Sequence, residues 1–384
     1  MNKEKIVIPP LIQGNPFLKT PDEVAELFGF STSIRSKVKH VARLVGQEVK
    51  LSDRSLDNLS GKGVSKQKAE DALDPIFNGL LEQLDLELDN LIPDGTKTSD
   101  IHIFWKGTIT AFVCAAQFSS EEKNCLKPLV SFIERRCTEY QPQREWIARY
   151  RGMEQEEVIC YLTDFYRPVI NKTLLDSRQQ AIVIKVLDKV AHRKKVKVVQ
   201  DDIKAFAFFS HDFNLSLFAS LDLVASKFKQ LHQDELSQGD SLFTQILASG
   251  GKCYFGRLIT LIHIKTGCPY SKLAQLIPIQ HQSTDSGRTE AEAKVERLKE
   301  WRKGKTKPSF TVMDEFFSYF DVADQLPLLI YGFICQAIDR MMDKYKREDD
   351  RALLREIYST ENYSRYYDKE KVAACLSAAV KITF

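Results

Sequence analysis

Apolar positions recur along this chain at intervals of three and four residues almost from end to end, the spacing that buries one face of a helix. Val24, Leu27 and Phe28 begin the series. A basic stretch from Ser33 to Gly46 continues it with Ile34, Val38, Val41 and Val45, and an acidic one from Ala69 to Leu91 carries Leu80, Leu81, Leu84, Leu88 and Leu91, broken near Pro75. From Ile101 to Tyr140 the face is Phe104, Thr108, Ala111, Phe112 and Ala115, and segments 143–170 and 174–190 follow in the same style. Residues 203–231, rich in Phe and Leu, read as buried helix. Alternation of period two is confined to short pieces such as Lys195 to Gln200. The pattern predicts an all-α fold, a multi-helix body.

Local signals sharpen some of these boundaries. At Thr20-Pro21-Asp22-Glu23 a capping threonine, a proline at the first helical position and a glutamate three residues on coincide, and Gly29 is the expected stop. Ser119 to Glu122 offers a second capping box, and Asp201-Asp202 a third helix start. Pro93-Asp94-Gly95 marks a turn, and residues 1–20, with Pro9, Pro10, Gly14 and Pro16, read as irregular. Ser52 to Ser65, polar and glycine-containing, reads as a linker or exposed loop, and Ser237-Gln238-Gly239-Asp240 as a second boundary. They divide the chain into an N-terminal helical segment (1–60), a central helical domain (66–236) and a C-terminal helical domain (241–384).

Composition changes this picture little. The 384 residues are 43% hydrophobic and 28% charged, ordinary globular values, with a net charge of +3. A global basic field for nucleic acid is therefore absent, and any such field must be local. Cysteines at 114, 125, 137, 160, 253, 268, 335 and 375 form no CxxC pair and are expected to be reduced thiols. No secretory signal follows the charged residues Met1 to Lys5, and the apolar run Leu326 to Ile338, interrupted by Gln336, is too short to span a bilayer. A cytoplasmic protein without membrane contact is expected.

Residues 254–320 carry the strongest chemical signal. Phe255, Leu258, Ile259 and Ile262 define one buried stripe, ended by Gly267 and Pro269. A short helix, Tyr270-Ser271-Lys272-Leu273-Ala274-Gln275-Leu276, follows. After a polar insertion (Pro278 to Glu292), Ala291, Val295, Leu298 and Trp301 are expected to face inward on a third helix that Gly304 and Pro308 end. Ser309 caps a fourth, carrying Val312, Phe316 and Phe320. From Glu292 to Lys307 seven Lys or Arg stand against three Glu, a local net of +4. Such a charge run also suits the last turn of any helix, where cations meet the dipole.

Trp301-Arg302-Lys303-Gly304-Lys305-Thr306-Lys307-Pro308-Ser309 resembles the end of the recognition helix in phage-repressor (Cro-type) helix-turn-helix domains, and Ser271-Lys272-Leu273-Ala274 is similar to the start of the preceding helix in that family. The resemblance covers about one sixth of the chain, and the insertion departs from the family's tight turn. It implies a four-helix unit embedded in the helical body, regulatory binding of double-stranded DNA, and a phage or mobile-element context. The expected contacts are Lys294, Arg297, Lys299, Arg302, Lys303, Lys305 and Lys307. Arg297 and Arg302 are the better candidates for bases and the lysines for phosphates. The alternative is a non-enzymatic interaction or effector protein of a defence or mobile-element module, in which 292–307 contacts protein or a ribonucleoprotein. Either fits a homodimer.

Other features carry less. Arg193-Lys194-Lys195-Val196-Lys197 beside His192 reads as a solvated helix end, His211-Asp212 as a helix cap rather than a catalytic pair, and Tyr358, Tyr363, Tyr366 and Tyr367 as packing. Glu156-Glu157 and Asp201-Asp202 are paired only in sequence. There is no HxxxH or HExxH pair, P-loop, GxSxG or kinase signature, so no catalytic residue, metal site or cofactor is assigned, and an enzyme is the less expected class.

Overall fold

The computed structural model describes residues 5–6, 17–31, 33–44, 46–59, 62–84, 105, 108–109, 118–149, 167–191, 200–232, 241–278 and 289–378. The expectations for Pro9-Pro10, 85–95, most of Ile101 to Ala115, 150–166, Arg193 to Lys197, Ser237 to Asp240 and the 279–288 insertion lie outside these. The protein is all-α, as the periodicity predicts, apart from a short two-stranded sheet. It forms two compact units, one of Met1–Ser120 with Ile133–Gly152 and one of Glu121–Phe132 with Met153–Phe384.

In the first unit, helix α1 (Pro21–Leu27) starts on the anticipated capping box: the Glu23 amide donates to Thr20 Oγ1 at 3.2 Å, and the Thr20 amide donates to the Glu23 carboxylate at 2.8 Å. Helix α2 (Ile34–Leu44) follows. Ser52 to Ser65, expected as a linker, is instead part of the core. Ser52 caps a short helix α3 (Asp53–Asn58) that, with its C-cap Leu59, buries Leu56 and Leu59 completely, and strand β2 (Val64–Ser65) pairs antiparallel with β1 (Lys5–Ile6). Helix α4 (Lys66–Leu84) runs through Pro75 without the expected break. Ala69, Ala72 and Leu73 from it close the core over Leu51, Leu56, Leu59 and Val64.

Among the described residues, helices α5 (Ser120–Cys125) and α6 (Lys127–Arg149) are the next to be delimited. Arg136 of α6 is buried in the first unit with its guanidinium 4.3 Å from the Phe17 ring centre and a hydrogen bond to the Phe17 carbonyl. An aromatic face replaces part of the hydration that this charge loses.

The second unit is organised on one long helix. Helix α7 (Ser177–Ala191) packs on α8 (Gln200–His232), a 33-residue helix in which every residue from His211 to Ser220 is buried. A helix buried on all sides belongs at a centre, and α8 is covered also by α14 (Val322–Lys344) and α16 (Thr360–Ala378). Its polar groups must then find partners within the protein. The His211 Nδ1 and the Tyr358 hydroxyl lie 2.8 Å apart, and the Tyr366 hydroxyl donates to Asp212 at 3.0 Å. Thus His211-Asp212 does not cap a helix, as expected, but sits in the middle of one.

Asp222 gathers three hydroxyls. Its carboxylate accepts from the hydroxyls of Tyr331 (2.8 Å), Tyr363 (3.0 Å) and Ser241, the residue that caps helix α9 (Leu242–Ala248). Burial pushes its pKa up to about 6, against the lowering effect of the Ser241, Tyr331 and Tyr363 hydroxyls and the Phe243 amide. One aspartate thereby ties four helices together. Among the described residues no helix is long and apolar enough to cross a membrane. The apolar run from Leu326 to Ile338 lies within α14, and Cys125, Cys137, Cys253, Cys268, Cys335 and Cys375 are free thiols.

Candidate nucleic-acid interface

The segment with the strongest sequence signal folds as four helices: α10 (Tyr254–Thr266), α11 (Tyr270–Gln275), α12 (Glu290–Lys303) and α13 (Phe310–Phe317). The α10 stripe of Phe255, Leu258, Ile259 and Ile262 is buried as anticipated, and Gly267 ends the helix in the left-handed region. Leu273 and Ala274 bury α11. A capping box not anticipated from the sequence opens α12, with the Glu292 amide donating to Thr289 Oγ1 at 3.3 Å and the Thr289 amide to the Glu292 carboxylate at 2.9 Å. Gly304, at φ 69°, closes α12 as expected; its amide donates to the Trp301 carbonyl at 3.1 Å and the Lys305 amide to the Glu300 carbonyl at 3.0 Å. Ser309 caps α13, which buries Met313, Phe316 and Phe317.

Trp301 is the pivot of this arrangement. It is 1% exposed and meets Phe255 and Phe316 edge-on, at 6.0 and 5.7 Å between ring centres. The end of α12 approaches α10 so closely that a Cβ on Gly256 would collide with the Arg302 carbonyl, so only glycine fits there. Beside it the Cys253 thiol donates to the Trp301 carbonyl at 3.3 Å and accepts from the Gly256 amide at 3.2 Å. Burial, with the nearby Asp339, pushes this thiol up to about 11, so it serves as a neutral donor rather than a thiolate.

Despite the insertion between them, α11 and α12 are docked. The Arg302 guanidinium stacks 3.6 Å from the Tyr270 ring centre, and Lys294 Nζ donates to the Gln275 carbonyl at 3.3 Å. The His263 ring also stacks on Tyr270, at 4.1 Å between ring centres.

One face of α14 holds this assembly. Gln336 donates to the Pro308 carbonyl at 2.9 Å, the buried Asp339 carboxylate accepts from the Tyr254 and Phe255 amides at 2.8 and 2.9 Å, and Asp343 pairs with Lys307. These residues recur at i, i+3 and i+7, so one polar stripe grips the start of α10 and the turn between α12 and α13. Burial raises the pKa of Asp339 above the usual aspartate range, while the two amides hold it down. The carboxylate meets the positive end of α10, where a negative group is favoured.

The seven expected contact residues divide into two sets. Lys294 has a side chain only 16% exposed and pairs with Glu290 at 2.8 Å; Arg302 lies on Tyr270; Lys307 is tied to Asp343. These three bind the segment together. Arg297, Lys299, Lys303 and Lys305 are exposed, the first in a loose pair with Glu300 (3.9 Å) and the second hydrogen-bonded to Glu296 (3.1 Å).

Val295 and Ala291, expected to face inward, face outward instead, Val295 with 44% exposure. The inward face is Lys294, Leu298 and Trp301, because the Lys294 ammonium is tied to the Gln275 carbonyl of α11. The outer face is Glu292, Val295, Glu296, Lys299 and Lys303, acidic in its first half and basic in its second.

Tyr270 and Asp339 were not singled out by the sequence pattern. A carboxylate directly after the apolar run of α14 is the available signal for Asp339; Tyr270 offers none. Comparison with family models, curated proteins and solved structures finds no match for this chain.

Proposed function

We propose that α10–α13 is a helix-turn-helix unit through which this protein binds double-stranded DNA. The observation that carries the reading is the docking of α11 on α12 with the outer face of α12 left exposed, so that a helix anchored by Trp301 and Arg302 presents Lys299 and Lys303 outward, followed by Lys305. A helix seated in a major groove needs such a rigid mount and flanking cations for the phosphates. The surface pairs of Arg297 and Lys299 are worth little in water and exchange readily for phosphate. Glu292 and Glu296 disfavour phosphate near the start of α12, so the backbone contacts fall at its end and in the turn beyond. Lys294, Arg302 and Lys307 act in this scheme as positioning residues.

Fluorescence anisotropy with a labelled duplex tests it. Binding should weaken steeply with salt, and the triple substitution Lys299→Ala, Lys303→Ala and Lys305→Ala should reduce the slope of log K against log salt by about 3. A wild-type protein that shows no salt-dependent binding defeats the proposal. The acidic half of the α12 face, Glu292 and Glu296, favours a second reading in which this surface meets a basic protein partner. Co-purification of such a partner, without duplex binding, would support that reading instead.

A further inference from the structure

Along the outer face of α12 the side chains are Glu292, Val295, Glu296, Lys299 and Lys303, spaced at i, i+3, i+4, i+7 and i+11. Four are charged and one is aliphatic. Val295 stands second in the row, between Glu292 and Glu296, 44% exposed, in a helix where a β-branched residue is less favourable than alanine or glutamate. It adds nothing to the buried face, which Leu298 and Trp301 supply.

In the major groove the hydrogen-bonding edges of all four base pairs are polar, and the one apolar feature is the C5-methyl group of thymine. An aliphatic side chain flanked by charges on a groove-facing helix is matched to that methyl group. We infer that Val295 is a specificity-determining residue that reads a thymine methyl in the DNA site of this protein. The inference rests on the DNA-binding reading of α10–α13. Its chemistry is burial of one methyl group between a valine and a base edge, without a hydrogen bond or a change in charge.

The test begins with the full-length protein and affinity selection from a random duplex library, which defines the preferred site. Each thymine of that site is then replaced singly by deoxyuridine, which deletes only the methyl group, and binding is measured for wild type and for Val295→Ala. At one thymine, deoxyuridine should weaken wild-type binding about fourfold, the worth of one buried methyl group. The same replacement should leave Val295→Ala unchanged, because its partner atoms are already gone. Since Val295 is exposed, the variant should fold as wild type does, and an unchanged melting temperature checks this.

Salt-dependent duplex binding without any deoxyuridine effect that depends on Val295, or without any sequence preference, overturns this inference and leaves the DNA-binding proposal standing. No duplex binding at all overturns both.

Discussion

Replacing Asp339 by alanine removes the clamp by which α14 holds the start of α10. The carboxylate accepts hydrogen bonds from the Tyr254 and Phe255 amides at 2.8 and 2.9 Å, in a position that is 6% exposed. Each buried amide left without an acceptor costs about 1–3 kcal/mol. Part of this is offset because the substitution also removes a carboxyl whose charged form burial disfavours, as its raised pKa records. The expected net loss is about 2–4 kcal/mol. Asp339→Asn keeps one carbonyl acceptor and should lose about half as much.

Urea unfolding gives the global loss, read as a lower midpoint at unchanged slope. Hydrogen exchange of a peptide covering 251–266 gives the local one. About 2.8 kcal/mol of local stability corresponds to roughly 100-fold faster exchange. A loss below about 0.5 kcal/mol for Asp339→Ala, or unchanged exchange at the start of α10, would refute the clamp.

Other consequences follow from the same contacts. In a double-mutant cycle, Arg302→Ala and Tyr270→Ala should couple by about 0.5–2 kcal/mol, the range for a stacked guanidinium and ring; additive losses in thermal unfolding would mean that α11 and α12 are not joined there. Asp222 makes stability depend on pH. Its folded pKa of about 6 lies above the unfolded value, so the folded protein binds more protons between the two. That contribution is fully present below about pH 4 and is lost as pH rises through 6, about 3 kcal/mol in all. Asp222→Asn should flatten this dependence in denaturant titrations between pH 4 and 7, and an unaltered profile would contradict the assignment.

The parts of the fold legible in the sequence are those governed by neighbours along the chain. The Thr20–Glu23 capping box, the stripe of α10, the stop at Gly304 and the cap at Ser309 each involve residues within a few positions of one another. Where the structure departs from the local pattern, distant partners decide. Val295 and Leu298 are equally apolar, and only the docking of α11 decides that Lys294 rather than Val295 turns inward. Ser52 to Ser65 looks like a linker because its polar residues outnumber Leu56 and Leu59, yet those two leucines complete a core supplied by α2 and α4.

Pro75 leaves one backbone hydrogen bond unmade, but α4 continues because flanking residues on both sides, Ala72, Leu73 and Ile76, are buried. The Asp222 hub joins residues 109 and 141 positions away, which no local pattern encodes. The candidate site was legible in its location and charge. Its division into positioning and exposed residues was not, since Arg302 and Lys303 are alike in sequence and differ only in that Tyr270 lies under one of them.

The most direct test of the central claim compares duplex binding by two variants at several salt concentrations. Lys299→Ala with Lys303→Ala and Lys305→Ala should bind duplex DNA more weakly and with a shallower salt slope by about 3, while retaining the wild-type melting temperature. Lys346→Ala with Lys371→Ala, exposed lysines outside α10–α13, should bind as wild type does. Equal binding by both variants, or no duplex binding by the parent protein, would contradict a DNA-binding role for α12.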